Sequence, residues 1–200
     1  MNRALEYGRA DFDLRHRFVT SVLYDLPLLR SNRWAGGWTA ASIITLQTGL
    51  PFQIFDSGLD SNGDGHFDDR PDFAGSGSID SIINRSKSPA DEYFRTVDAQ
   101  GNDLLVAPRL DPAVNNGLWR NGRLGRNVVS GPGLAVVDFS LQKKFRLAER
   151  VALRLDFNFF NLFNRANFAL PNGNLSSSQF GRSTATFGPR VGQFAARLDF

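Results

Sequence analysis

Five stretches of the chain alternate apolar and polar residues with a period of two, which is the pattern of a β-strand with one apolar face and one polar face. The clearest is 151–163, where the odd positions up to Phe159 are apolar and residues such as Arg154 and Asp156 lie opposite. The alternation is weakest in the first stretch. The predicted strands are residues 16–26, 37–48, 134–145, 151–163 and 191–200.

The connections between these strands alternate in length. Residues 27–36 and 146–150 are short, whereas 49–131 and 164–190 are long and rich in Gly, Asp, Asn and Ser. Successive antiparallel strands place alternate connections on opposite sides, so both long loops fall on one side. Outer-membrane barrels have short periplasmic turns and long extracellular loops, and a structureless loop as long as 49–131 is unusual in a compact soluble domain. The sequence therefore predicts an all-β fold, an antiparallel transmembrane β-barrel segment of about five strands.

A soluble fold with the same alternation is the alternative. A β-sandwich buries its apolar faces against each other, whereas a barrel turns its apolar face to lipid, and alternation alone does not separate them. The polar face carries Arg154, Asp156, Arg197 and Asp199, and we expect ion pairs across it, as in a wet barrel lumen. The alternative reading is a secreted β-sandwich binding module with a calcium-binding loop.

Several residues at strand ends suit a membrane interface. Trp34 and Trp38 lie at the start of the second strand, where amphipathic rings concentrate at such an interface, although ordinary core tryptophans fit as well. Lys143 falls on the apolar face of the third strand near its end, so we expect its stem to lie along lipid and its ammonium to reach water.

The last strand ends on an aromatic residue with no polar tail. Phe194, Leu198 and Phe200 share its apolar face. This ending resembles the C-terminal strand of bacterial outer-membrane barrels, which the barrel assembly machinery reads. The resemblance makes these three residues the candidate assembly signal.

The first long loop contains a group of Asp and Asn residues spaced like the ligands of a metal site. Calcium takes six to eight oxygen ligands, and Asp60, Asn62 and Asp64 at alternate positions can converge on one ion. Gly65 allows a sharp turn, after which the backbone carbonyl of His66 would join, and Asp68 fits the ninth position of an EF-hand loop. The twelfth position is Pro71, for which Asp69 or Asp72 would have to substitute. The alternative is a solvated turn cluster held by side-chain-to-backbone hydrogen bonds. The candidate calcium ligands are Asp60, Asn62, Asp64, His66 through its backbone, Asp68 and Asp69.

Other chemistry finds little support in the sequence. The two histidines, His16 and His66, belong to no catalytic motif, and the sequence contains no nucleophile elbow, phosphate-binding loop or zinc-protease motif. We therefore expect that the chain is not an enzyme. A basic run with one aromatic residue lies in the long loop. Its position favours a solvated loop, or contact with an anionic ligand or lipopolysaccharide phosphates, over nucleic-acid binding. The run consists of Arg109, Trp119, Arg120, Arg123 and Arg126.

The composition and the N-terminal residues exclude several kinds of site and segment. The net charge is +3 and there is no cysteine, which excludes disulfides and thiolate metal sites. No apolar run approaches the roughly 18 residues of a membrane helix. Residues 1–15 are polar and charged, unlike a secretory signal peptide, so an export signal is expected upstream.

Four motifs in the order found here resemble TonB-dependent outer-membrane receptors of the Oar-like type. The strongest match is the run that begins DFSLQKKF and continues into RLDFNFFNLFN. The matching segments are 13–18 with 24–27, 47–52, 60–65 with 69–71, and 138–145 with 154–164.

The resemblance implies a barrel of about 22 strands with an N-terminal plug, energised by the inner-membrane TonB complex. Residues 1–200 would be the C-terminal part of that barrel, located in the outer membrane of a Gram-negative-type bacterium, for ligand uptake or an envelope function. Its implied partners are outer-membrane lipid, the assembly machinery, the remaining strands and plug, and TonB through the missing N-terminal region, with no nucleic acid. Alone, such a fragment is expected to be inactive.

Overall fold

The computed structural model describes residues 6–27, 36–58, 60–108 and 120–200, which form two compact units. The first we name the sheet unit, because it holds all five long strands. The second we name the loop unit, because it is built from the segments between them. The sheet unit comprises His16–Thr48, Gly133–Asn167 and Thr186–Phe200, and the loop unit comprises Met1–Arg15, Gly49–Pro132 and Phe168–Ala185, each over its described residues.

Regular structure in the described residues is almost entirely extended. Two short helices interrupt it, a 3₁₀-helix at Ile79–Ile82 and α1 at Pro89–Glu92, each N-capped by the serine that precedes it. The strands, in chain order, are β1 (Arg17–Leu26), β2 (Trp38–Gln47), β3 (Pro51–Phe52), β4 (Asp72–Phe73), β5 (Leu105–Val106), β6 (Val129–Ser130), β7 (Leu134–Arg146), β8 (Ala152–Phe160) and β9 (Val191–Asp199).

The five long strands form one antiparallel sheet in the order β1-β2-β7-β8-β9. This confirms the predicted all-β, antiparallel fold class and its five strands. Each strand has 9 to 13 residues, and about 9–11 residues span a bilayer as a tilted strand. The tight turn after β7 is closed by hydrogen bonds that the N–H groups of Leu147 and Ala148 donate to the Val151 carbonyl. The sheet stays open, since β1 and β9 are its two edges.

The strand ends lie at two opposite ends of the sheet, as the connection lengths predict. Arg17 pairs with Gln47, which pairs with Leu134, so β1 begins, β2 ends and β7 begins at the same end. The three segments of the loop unit are those that connect to the strands at this end. At the opposite end Asp199 pairs with Ala152, next to the short turn.

The predicted fourth strand ends three residues earlier than expected. Asn161 has a φ of 50° and Asn164 a φ of 51°, in the left-handed region that asparagine tolerates best among non-glycine residues. The Asn161 amide N–H donates to the Asp138 side chain at 2.9 Å, and the Arg165 N–H donates to the Asn161 side chain at 3.0 Å. These bonds turn the chain after Phe160, so the strand cannot continue to residue 163.

The expectation for Lys143 is wrong. Its side chain is fully buried, and its ammonium donates to the backbone carbonyl of Gly36 instead of reaching water. The ammonium lies 5.2 Å from the centre of the Trp38 ring and 4.8 Å from that of Phe145, within cation–π range of both. Two aromatic faces and a carbonyl therefore replace the water that the sequence led us to expect. Trp34 lies outside the described residues.

The described part of the long loop 49–131 is not irregular, contrary to the sequence prediction. Its described residues fold around a hydrophobic core and carry β3 paired with β6 and β4 paired with β5. The segments before β1 and before β9 join the same unit. The glycines permit the close backbone contacts: a Cβ on Gly49 would lie 1.7 Å from the Gly131 carbonyl oxygen. The core consists of Phe52, Ile54, Ile82, Phe94, Leu104, Leu105, Leu124 and Val129.

Among the described residues, no helix has the length and apolar character needed to cross a bilayer.

Candidate functional site

One face of the sheet unit is apolar, and the described residues leave much of it exposed. The register places Tyr24, Ala40, Leu141, Phe157 and Phe194 in one row across all five strands. Phe157 and Phe194 pack with their ring centres 5.0 Å apart, yet Phe194 remains 62% exposed. A soluble sandwich would cover such a row, so the open apolar face fits a lipid-facing surface.

The candidate assembly signal lies on this face at the edge of the sheet. Phe194 and Leu198 are exposed in β9, and Phe200 follows the strand and is almost fully exposed. β9 pairs with β8 on one side, and no described residue pairs with its other side. The edge therefore presents unpaired backbone groups, which lipid cannot satisfy.

The opposite face of the sheet is polar, as predicted, but it is joined differently. Side-chain hydrogen bonds cross between strands, from Gln142 to Asp156 at 2.6 Å and from Thr39 to Asp25 at 2.7 Å. The expected ion pairs run along strands instead: Arg154 lies 3.1 Å from Asp156 two residues on in β8, and β9 has a similar pair. Each of these two ion pairs therefore joins residues of one strand and does not cross to the neighbouring strand, contrary to our expectation.

The Asp/Asn/Gly segment forms a closed loop in the loop unit. Its base is closed by the Asp56 N–H, which donates to the Asp69 carbonyl at 2.7 Å. Inside the loop the Asp60 carboxylate accepts the backbone N–H groups of Gly63 at 2.7 Å and Gly65 at 3.0 Å. Gly63 and Gly65 have φ values of 72° and 82°, a conformation that glycine adopts without strain.

Three of the candidate ligands come together in this loop. The Asn62 amide donates to Asp64 at 3.0 Å, and Asp60 accepts the Asp64 N–H at 3.2 Å. The N–H of His66 donates to Asp64 at 2.8 Å and is the largest influence that holds the pKa of that carboxyl below its usual value. These bonds match the turn cluster that the sequence offered as the alternative to calcium.

The other carboxylates have separate roles. Asp69 is buried, and one of its oxygens accepts the hydroxyl of Ser61 at 2.7 Å and the N–H of Asn62 at 3.2 Å. Its other oxygen is buried without a hydrogen-bond partner in the described part of the chain. Asp68 is exposed. The candidate ligands of this loop offer mainly oxygen atoms, which hard cations such as calcium prefer. Within the described ranges, however, no three acidic or histidine side chains are placed so that they could hold one metal ion.

One described arginine of the basic run is paired with a carboxylate. The Arg120 guanidinium binds the Asp72 carboxylate through two nitrogens, one at 3.0 Å. Burial opposes ionisation of Asp72, but this guanidinium and the Arg123 N–H at 2.8 Å outweigh it and hold the Asp72 pKa below its usual value. Arg109 and Trp119 lie outside the described residues.

The sequence missed the role of the N-terminal segment. Arg9 donates to the backbone carbonyl of Asn127 at 2.9 Å, and Glu6 forms an ion pair with buried Arg70. No local pattern signals contacts between residues this far apart in the chain. Polar residues in an apparently irregular segment were the only available hint.

A comparison with known protein families matches residues 1–193 to the family described as "Outer membrane beta barrel domain". No curated protein and no solved structure matches the chain.

Proposed function

Since the chain belongs to the outer membrane beta barrel domain family, we propose that it forms part of the barrel wall of a TonB-dependent receptor or transporter of the Oar-like type. The observation that carries the proposal is the open five-stranded sheet, whose apolar face the described residues leave largely exposed and whose long connections all join the same end of the strands. Single-chain outer-membrane barrels have about eight strands or more, so the remaining strands and a plug would come from elsewhere in the receptor. The chain would bind or admit a ligand and catalyse no reaction.

In this proposal the strand ends that lead into the long connections lie at the cell exterior, and the short turn and Phe200 lie at the periplasmic side. The exposed aromatic and apolar side chains of β9 fit recognition by the barrel assembly machinery. Outer-membrane lipid would cover the apolar face of the sheet, and TonB would act through the plug region of the complete receptor.

Membrane fractionation of the full-length product tests the proposal. We expect it in the outer-membrane fraction, with a gel mobility that changes on heating, as for folded barrels. A product found in the soluble fraction without heat-modifiable mobility would contradict a barrel and favour the secreted sandwich.

The assembly role of the last residue has its own test. We expect Phe200→Asp to lower the amount of folded receptor in the outer membrane several-fold, because a charge replaces an exposed aromatic ring at the recognised end. Phe67→Asp, an equally drastic change at an exposed position of the loop unit, serves as the control. Equal assembly of both variants would rule out the role of Phe200.

We also propose that the Asp60–Asp69 loop binds Ca²⁺, which would stiffen the loop unit. Asp60, Asn62 and Asp64 supply clustered side-chain oxygens. Calorimetric titration with calcium should show binding that Asp60→Asn weakens by about tenfold or more. Asp98→Asn is the matched control, because Asp98 accepts backbone N–H groups in a similar exposed turn. Lack of binding at millimolar calcium would refute the site.

A further inference from the structure

A cleft of about 420 Å³ in the loop unit is lined by three arginines. Arg9 and Arg15 come from the segment before β1, and Arg126 comes from the long connection between β2 and β7. Tyr7 and Asp80 also line the cleft. Neither the proposed receptor role nor the calcium loop uses these residues.

Arg9 is held rigidly by uncharged acceptors. Its Nε donates to the Asn127 carbonyl at 2.9 Å, and its Nη atoms donate to the Ser130 hydroxyl at 3.1 Å and the Val129 carbonyl at 3.2 Å. A guanidinium has five N–H groups, so two remain for a ligand. Because all three acceptors are neutral, they orient the guanidinium without cancelling its charge.

Arg126 is brought beside Arg9 by a close backbone contact. A Cβ on Gly8 would lie 2.4 Å from the carbonyl oxygen of Arg126 and 2.9 Å from its Cβ, so only glycine fits at this position. The contact fixes the segment that carries Arg9 against the one that carries Arg126. The backbone positions of two of the three arginines are therefore set by the fold.

The charges in the cleft are not balanced within the described structure. There, none of Arg9, Arg15 and Arg126 lies within 4.0 Å of a carboxylate, whereas Arg120 of the same unit is paired. Among the residues that line the cleft, three arginines against the one carboxylate of Asp80 leave an excess of two positive charges. Such an excess lowers the free energy of a bound dianion, most strongly at low ionic strength.

We propose that this cleft is a binding site for a phosphate monoester. Arginine binds phosphate through paired N–H groups, and a phosphate monoester carries close to two negative charges at neutral pH. The cleft is large enough for a phosphate with a small organic group attached. As the ligand class of the receptor, the inference rests on the proposed function, while the phosphate site itself depends only on the loop unit.

Titration calorimetry of the full chain, folded in detergent micelles at low ionic strength, tests the site with inorganic phosphate and glycerol phosphate. We expect Arg15→Gln and Arg126→Gln each to weaken binding by about tenfold or more, since each removes a charged donor. Arg182→Gln removes the same charge from an exposed position of the same unit outside the cleft lining, and should leave the affinity within about twofold. Near-UV circular dichroism checks that each variant is folded.

Two results would overturn the site: no phosphate binding by the unaltered chain at millimolar concentration, or equal weakening by all three variants. Arg15 has an exposed side chain, so its variant keeps the test valid if Arg126→Gln unfolds.

Binding of lipopolysaccharide with and without its lipid phosphates distinguishes a lipid headgroup from a soluble phosphate monoester as the ligand. Stronger binding of the phosphorylated lipid supports a headgroup, and binding of glycerol phosphate alone supports a soluble ligand. If the chain binds phosphate but is not found in the membrane fraction, the receptor proposal is contradicted and the phosphate site is still supported.

Discussion

Replacing Phe94 with alanine should unfold much of the loop unit, because Phe94 lies at the centre of its core. The side chain is 2% exposed. Its ring centre lies 5.2 Å from that of Phe52 and 4.7 Å from that of Tyr93. The backbone at this point is fixed as well, since the Phe94 N–H donates to the Gly181 carbonyl at 3.2 Å.

The size of the effect follows from the buried surface. Burial of a phenylalanine removes about 150–250 Å² from water, which at about 25 cal/mol per Å² corresponds to roughly 4–6 kcal/mol. Alanine keeps a part of this area, and the unfolded chain already shields some of it. We therefore expect a loss of about 3–5 kcal/mol in the free energy of unfolding, a large share of the roughly 5–15 kcal/mol typical of a domain.

Limited proteolysis of the full chain in detergent micelles measures this loss. Trypsin sites at Arg85, Lys87 and Arg95 lie in the loop unit, and cleavage of a folded segment follows the population of its opened form. We expect Phe94→Ala to raise the cleavage rate by more than about a hundredfold. Phe67→Ala, the same change at a position that is 59% exposed, should leave the rate nearly unchanged. Equal rates for the two variants would show that the connection is not held by a common core.

Two further predictions concern charged groups. The folded-state pKa of Asp72 is lowered, so its stabilising effect is complete above the unfolded value of about 3.9 and is lost as the pH falls through the folded value. Thermal melting should therefore show a stability loss below about pH 4 that is smaller in Asp72→Asn, and an unchanged acid dependence would contradict the pairing with Arg120. Lys143→Met leaves the Gly36 carbonyl without its donor and removes two cation–π contacts, for an expected cost of about 1–3 kcal/mol in urea unfolding of the micelle-bound chain. Lys144→Met, at the exposed neighbouring position, should cost less than about 0.5 kcal/mol, and equal midpoints would refute the buried role of Lys143.

The five strands were predictable because their information is local. A strand turns successive side chains to opposite faces, so the apolar positions of 151–160 specify both the strand and which of its sides is apolar without reference to other residues. The end of the sheet at which the long connections lie was predictable as well, since it follows from counting antiparallel strands and comparing connection lengths. The end of β8 at Phe160 was missed because the left-handed turn at Asn161 depends on a hydrogen bond from its backbone to Asp138 on the neighbouring strand.

The sequence by itself determined the sheet, the polarity of its two faces and the side on which the long connections lie. Only the tertiary structure decided that these connections share a core, that Lys143 lies between two rings, and that Arg9 and Arg126 meet in one cleft. The physical reason is the range of the interactions. Alternation is a property of neighbouring residues, whereas a core of Phe52, Phe94 and Val129, or a pair such as Asp72 with Arg120, is stabilised by contacts between residues that no local period relates.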